Sequence, residues 1–265
     1  MIRIERLTYA VGERKLLEDI RCQLRPGELT VLLGANGAGK STLLRLLSGE
    51  LRPQKGSIYW KSISLPDLSP RQLALQRAVL GQHYAVNLPF TGEEVVMMGR
   101  YPHYERHPSG RDKAIVKEAL ERVAATHLAS RLFNTMSGGE QQRVQLARVL
   151  AQLEDREDGD LTGKFLLLDE PTASMDYRHQ QLCLQQARNL CHRGLTVIMV
   201  LHDLNMAAQV ADQLLLLKGG RLVASGTPGE LLDTALIREV YGLETKIFYP
   251  EPGGPPVVIV NLQTC

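Results

Sequence analysis

Apolar and polar residues alternate at Ile2, Ile4 and Leu7 and again at Leu29, Val31 and Leu33, with the turn residues Gly12 and Pro26-Gly27 between the two runs. A period of two predicts strands, so the chain opens with an antiparallel β portion leading into a strand near Leu33. The period then changes. STLLRLLSG, directly after Lys40, repeats at helical spacing and stops at Gly49. VLGQ (Val79 to Gln82) reads as a strand, and TGEEVVMMGRY and RDKAIVKEALERVAATHL carry apolar residues at helical intervals, predicting a mostly helical stretch from Tyr84 to Thr135. FLLLDE and TVIMVLH are unbroken apolar runs that suit parallel strands covered on both faces. Helices are expected at Arg178 to His192 and Leu204 to Ala211. From Leu243 only KIFY and VVIV surround PEPGGPP, predicting a minor strand-and-loop extension. The pattern is that of an α/β protein with a parallel core.

Composition changes this picture little. At 265 residues the chain accommodates one large α/β domain with an inserted helical portion. Its 31 basic and 29 acidic residues give a net charge of +2, which argues against a nucleic-acid footprint. No apolar run approaches the roughly 18 residues needed to span a bilayer, and MIRIERL does not read as a signal peptide. Cys22, Cys183, Cys191 and Cys265 show neither CxxC nor Cys/His metal spacing, so they are expected to be buried or incidental thiols. EDREDGDLTGK, Glu154 to Lys164, concentrates acid. A Mg²⁺ site or docking patch is conceivable there, but a solvated loop is expected, because charge clusters are usually solvated and no apolar anchor stands out.

The chemistry is concentrated in three segments. GANGAGKST, Gly34 to Thr42, follows a strand and opens a helix, the context in which a glycine-rich loop cradles phosphates with backbone N–H groups. Lys40 reaches β/γ oxygens, and Ser41 ligates Mg²⁺. Ser137, Gly138 and Gly139 precede the helical run EQQRVQLARVLAQL, so their amides are expected to form an anion site at its N-terminus. Asp169 and Glu170 end the apolar strand LLLDE. His103 and His107 stand four residues apart, yet no carboxylate or cysteine completes a metal site, so ordinary structural histidines are expected.

GANGAGKST, Gln82, MSGGEQQR, LLLDEP, SMD and His202 occur in the order of an ATP-binding-cassette (ABC) ATPase, and the resemblance covers nearly the whole chain. It implies a P-loop NTPase fold occupying residues 1–265 as one cassette: a RecA-like parallel core, an antiparallel β portion, a helical subdomain inserted at about residues 84–150 and a short extension at 243–265. It assigns ATP binding to Gly34, Asn36, Gly37, Ala38, Gly39, Lys40, Ser41 and Thr42, with Tyr9 stacking on adenine. Ser41, Gln82 and Asp169 would hold Mg²⁺, Glu170 would polarise the attacking water, and His202 would contact the γ-phosphate and orient both. Ser137, Gly138, Gly139 and Asp176 would complete the ATP site of a second copy, giving a head-to-tail dimer. Met136 and Met175 stand where the family commonly has leucine, a conservative exchange.

Further segments, VVMMGRYPHYERH, DYRHQ and HDLNMAAQVADQLLLLKGGRLVASGTPGELL, resemble the ATPases of bacterial metal-chelate importers. The implied function is ATP hydrolysis driving uptake of haem, with a ferric siderophore or cobalamin as the alternative cargo. The implied partners are a second copy, a transmembrane permease dimer whose cytoplasmic helix meets the surface around Phe90 to Tyr101, and, through the permease, a periplasmic haem-binding protein. The implied location is the cytoplasmic face of the bacterial inner membrane. A soluble repair or translation ATPase is the competing class; no sustained heptads, paired CxxC or basic stripe favours it.

Overall fold

A computed structural model of the protein describes residues 1–81, 89–155 and 159–261. Along the chain come β1 (Ile2–Val11), β2 (Arg14–Leu24), β3 (Leu29–Leu33), α1 (Lys40–Leu47), β4 (Lys55–Trp60), β5 (Ile63–Ser64), α2 (Pro70–Gln76) and β6 (Arg77–Leu80). Next are α3 (Gly92–Met98), α4 (Gly110–Arg122), α5 (Gly138–Leu153), β7 (Phe165–Asp169), α6 (Tyr177–His192) and β8 (Thr196–Val200). The chain closes with α7 (Leu204–Val210), β9 (Gln213–Lys218), β10 (Arg221–Gly226), α8 (Pro228–Leu231), α9 (Thr234–Tyr241), β11 (Thr245–Phe248) and β12 (Val257–Val260). It divides into two compact units, Met1–Asp67 with Ile198–Cys265, and Leu68–Val197.

In the first unit β2, β1, β4 and β5 form an antiparallel sheet in that order. The alternation read from sequence is its buried face: Ile2, Ile4 and Leu7 of β1 and Leu17, Ile20 and Leu24 of β2 are all buried. β3 pairs in parallel with β9, Leu33 opposite Leu216, and β9 pairs antiparallel with β10. Every residue of β3 is buried, so the strand that delivers the phosphate loop is held on both faces. The strands expected at KIFY and VVIV are present as β11 and β12, and helix α9 precedes them. α9 starts at the Asp233 cap and stops at Gly242, which has φ 71°; β11 and β12 then form a hairpin that docks on α7. Asn205 accepts from the Val258 amide at 2.7 Å and donates to the Val258 carbonyl at 3.1 Å, matching the backbone's own pairing pattern.

In the second unit β6 and β7 pair in parallel, Leu80 opposite Leu168. α3, α4 and α5 pack around Val95, Val96, Val116, Leu120, Val144 and Leu150, all buried. The run expected to continue as helix to Leu128 stops at Arg122, because Ala124 adopts φ 53° and gives its carbonyl to Nη1 of Arg143 at 2.6 Å. A left-handed residue without glycine leaves no compositional mark.

The acidic run departs from the solvated loop expected of it. Leu161 anchors it at 1% exposure, and Glu154 bridges Arg122 at 2.6 Å and Arg193 at 2.7 Å. Asp155 meets Lys164 at 2.6 Å. Burial pushes the Glu154 carboxyl up, and the Arg193 and Arg122 guanidinium groups outweigh it and hold the group below its ordinary range. Apolar anchoring and ion pairing, invisible in a run dominated by like charge, tie the described part of the loop down. Among the described residues no cluster of three or more His, Cys, Asp or Glu side chains could hold a metal ion.

Candidate nucleotide site

In the first unit β3 runs into the phosphate loop and the loop into α1. Gly34 has φ 148°, and a Cβ there would lie 2.2 Å from the Leu217 carbonyl oxygen, so only glycine fits. Its carbonyl accepts from Nζ of Lys40 at 2.7 Å, and the Ala35 carbonyl takes the same ammonium at 3.1 Å. Gly37 and Gly39 have φ of 78° and 103°; Gly39 caps α1 without a side-chain hydrogen bond. No side chain caps the first turn of α1, and the positive end of the helix dipole there favours an anion. Asn36 is exposed, Ala38 is buried, and Ser41 and Thr42 are half-buried in the first turn of α1. Tyr9 lies in β1 opposite Leu17 and is half-buried. His202 is exposed two residues after β8, and Asp203 beside it caps α7, accepting from the Asn205 and Met206 amides at 2.7 and 2.9 Å.

In the second unit Asp169 is the last residue of β7 and is 8% exposed. Glu170 follows with φ 52°, a left-handed conformation that costs on the order of 1–3 kcal/mol for a residue other than glycine. Glu170 is half-buried directly after the buried strand. Ser137 and Asp176 share a cavity of about 530 Å³ with Gly139, Arg143, Ser174 and His179. A Cβ on Gly139 would come within 2.7 Å of the Ser174 carbonyl oxygen, so the start of α5 and the segment before α6 approach as closely as only glycine permits.

Two expectations about this cavity change. Only the Gly138 and Gly139 amides remain for an anion, because the Ser137 N–H donates to Glu140 at 2.8 Å in a reciprocal capping box. Asp176 caps α6 by accepting from the His179 backbone N–H at 2.9 Å, and the His179 ring adds a second hold, with Nδ1 2.8 and 2.9 Å from the two carboxylate oxygens. The His179 amide and ring hold the Asp176 carboxyl below its usual range. The sequence places His179 three residues beyond the cap, the spacing of a first-turn partner, so the pair was legible in DYRHQ. Arg143 gave no such hint.

Gln82 lies outside the described residues. His103 behaves as an ordinary structural histidine: Nε2 is 2.8 Å from the Gln152 carbonyl, and burial holds the imidazole below its ordinary pKa. Among the described residues no helix is long and apolar enough to cross a membrane.

A glycine-rich loop between a buried parallel strand and a helix, an Asp-Glu pair at a second strand end, and an SGGE helix start define a P-loop ATPase cassette. The ABC transporter family model matches residues 17–173. The hemin import ATP-binding protein HmuV of Gloeobacter violaceus is 45% identical over 98% of this chain and 94% of its own length. A structure described as a metal-chelate type ABC transporter, in an inward-facing conformation, superposes with a TM-score of 0.81 at 25% identity, covering 99% of this chain and 98% of that one. The dimeric cassette MJ0796, bound to ADP and Pi, gives 0.74 at 26% identity over 86% and 98%. The chain belongs to the ABC transporter family and is one of its ATPases.

Proposed function

We propose that this ATPase energises haem uptake through a separate transmembrane permease dimer, from the cytoplasmic face of a bacterial inner membrane. The supporting observation is kinship with a hemin import ATP-binding protein over nearly the full length of both chains. A ferric siderophore or cobalamin is the alternative cargo.

Phosphoryl transfer to water needs positioning and charge neutralisation more than covalent chemistry. In this reading the loop amides from Gly37 to Lys40 cradle the phosphates, Lys40 meets the β/γ oxygens, Thr42 meets an upstream phosphate, and Tyr9 stacks on adenine. The Ser41 hydroxyl, the Gln82 carbonyl and the Asp169 carboxylate are hard oxygen donors of the kind Mg²⁺ takes alongside phosphates and water. When bound, Mg²⁺ neutralises charge on the β/γ-phosphates. Glu170 accepts a proton from the attacking water, oriented by His202. Gly138 and Gly139, with Ser137 and Asp176, close on the ATP of a second copy, as a head-to-tail dimer requires; a related cassette is itself dimeric. A periplasmic haem-binding protein delivers cargo to the permease.

The test is reconstitution of the ATPase with its permease in liposomes. Haem with its binding protein is expected to raise ATP hydrolysis and to accumulate in the lumen, while ferric siderophores and cobalamin do neither. Stimulation and accumulation with cobalamin but not haem would overturn the cargo.

A further inference from the structure

Gly34 is gripped on both sides. Its carbonyl accepts from Lys40, as described, and its N–H donates to the hydroxyl of Tyr241 at 2.8 Å, across 207 positions of sequence. Since Gly34 carries no side chain and has no room for one, these hydrogen bonds hold the two peptide units that flank its Cα, and the passage of β3 holds the chain before it. Tyr241 is the last residue of α9, a helix fixed at both ends. The Asp233 carboxylate caps its start through the Leu236 amide at 2.8 Å, and the Gly242 amide closes its end on the Arg238 carbonyl at 2.8 Å. Ile237 and Val240 bury its inner face. Burial pushes the phenol up to about 12 against the opposing Gly34 amide, so the hydroxyl is neutral at any working pH.

We propose that Tyr241 is a positioning residue of the nucleotide site: its hydroxyl holds the Gly34 amide where the phosphate loop begins, and Lys40 rests on the carbonyl on the other side of the same Cα, so that helix α9 tunes affinity for ATP. The inference rests on the reading that Lys40 serves the phosphates. It gives the segment after β10 a role in nucleotide binding. Tyr241→Phe keeps the ring and removes one acceptor, leaving the Gly34 amide unpaired in a part-buried place. The worth of one such hydrogen bond corresponds to a loss of about three- to tenfold.

The experiment compares wild type, Tyr241→Phe and Lys40→Ala as full-length proteins, measuring the Kd of a fluorescent ATP analogue, KM, kcat and Tm. For Tyr241→Phe the expected result is a Kd and KM raised about three- to tenfold with kcat within twofold, at a temperature where the variant is fully folded. If Lys40→Ala loses ATP while Tyr241→Phe binds it like wild type, Tyr241 has no positioning role. If Lys40→Ala binds ATP normally, the underlying site reading fails instead. Should Tyr241→Phe not fold, amide hydrogen exchange at Gly34 in the wild type decides: protection supports the bond, and exchange at the rate of a free amide overturns it.

Discussion

Asp112→Ala is expected to be among the most damaging single changes in the second unit. Arg100 and Asp112 are 3% and 5% exposed, joined by Nε to Oδ1 at 2.9 Å. The other carboxylate oxygen accepts from the Ser109 amide at 2.7 Å and the Ser109 hydroxyl at 2.6 Å, completing the cap of α4. Arg100 extends to the Ala151 carbonyl at 2.6 Å and to the Glu154 carbonyl. Deleting the carboxylate therefore strands a buried guanidinium, worth about 3–5 kcal/mol, and opens the reciprocal half of the Ser109 capping box, worth about 0.5–1 kcal/mol more. Against a total stability of about 5–15 kcal/mol, a loss near 5 kcal/mol lowers Tm by roughly 10–20 °C for a protein of this size. Circular dichroism melts and urea titrations read the change. Asp112→Asn, which keeps a cap acceptor, should fall between Ala and wild type. Burial pushes the Asp112 carboxyl up, and Ser109 and Arg100 outweigh it and hold its pKa below the ordinary value. A depressed folded-state pKa gives stability that is present above the unfolded value, about 3.9, and is lost as pH falls through the folded one. The wild type should thus lose stability below about pH 4, and the Asn variant should lose less over the same interval. A shift under about 1 kcal/mol for Asp112→Ala at pH 7 would refute the claim that the pair is buried and coupled.

Glu170→Gln should retain ATP and stall turnover by about two to four orders of magnitude, read by single-turnover hydrolysis and by an ATP-locked dimer on size exclusion; wild-type turnover would remove Glu170 from its role. Gly139→Ala forces a methyl to within 2.7 Å of the Ser174 carbonyl, so ATPase activity should drop with a destabilisation of about 1–3 kcal/mol; unchanged activity would mean that the close approach does not matter to the cassette. Cys22 and Cys183 have thiols pushed to about 12 by burial, and Cys191 is buried. A thiol reagent at pH 8 should spare all three in the native protein and label them in urea, and rapid native labelling of Cys183 would contradict its placement.

How far the sequence carried the reading depends on whether a feature repeats or is local. The buried face of β1, the two-sided burial of β3 and β7, and the loop between β3 and α1 follow from periodicity and glycine spacing, because burial and backbone conformation constrain those residues directly. α9 was not anticipated, since TALIREVY carries too few turns for its period to separate from its surroundings. The end of α4 at Ala124 was hidden because its left-handed residue is not glycine. Tyr241 and Arg143 are partners across long sequence separations, and nothing near them in the chain marks what they touch. The Asp176 and His179 pair, by contrast, is local and could have been read from a cap followed by a basic first-turn residue.

Helix α5 is tied down at both ends. Its N-terminus leaves two glycine amides toward the cavity, while Glu140 occupies the Ser137 amide and itself meets Arg131 at 2.8 Å. Its last carbonyls are each taken by a basic side chain: Ala151 by Arg100 at 2.6 Å, Gln152 by His103 at 2.8 Å and Leu153 by Lys164 at 2.6 Å. All three satisfy carbonyls that a helix leaves open, and the Arg100 and Lys164 cations also complement the helix dipole. The same Arg100 holds Asp112 at the start of α4 and follows α3 directly. Moving the α3 and α4 pair away from α5 therefore breaks the hydrogen bonds from Arg100 to the Ala151 and Glu154 carbonyls, because the Arg100–Asp112 ion pair travels with α3 and α4. Those bonds carry the charge of a buried guanidinium, so α5 should follow α3 and α4 as one piece, and the Gly138 and Gly139 amides should move with them. Arg100→Met keeps the aliphatic stem and removes both bonds to the end of α5: measured at a temperature where the variant is folded, its ATPase activity should fall, and wild-type activity there would show that α5 need not follow.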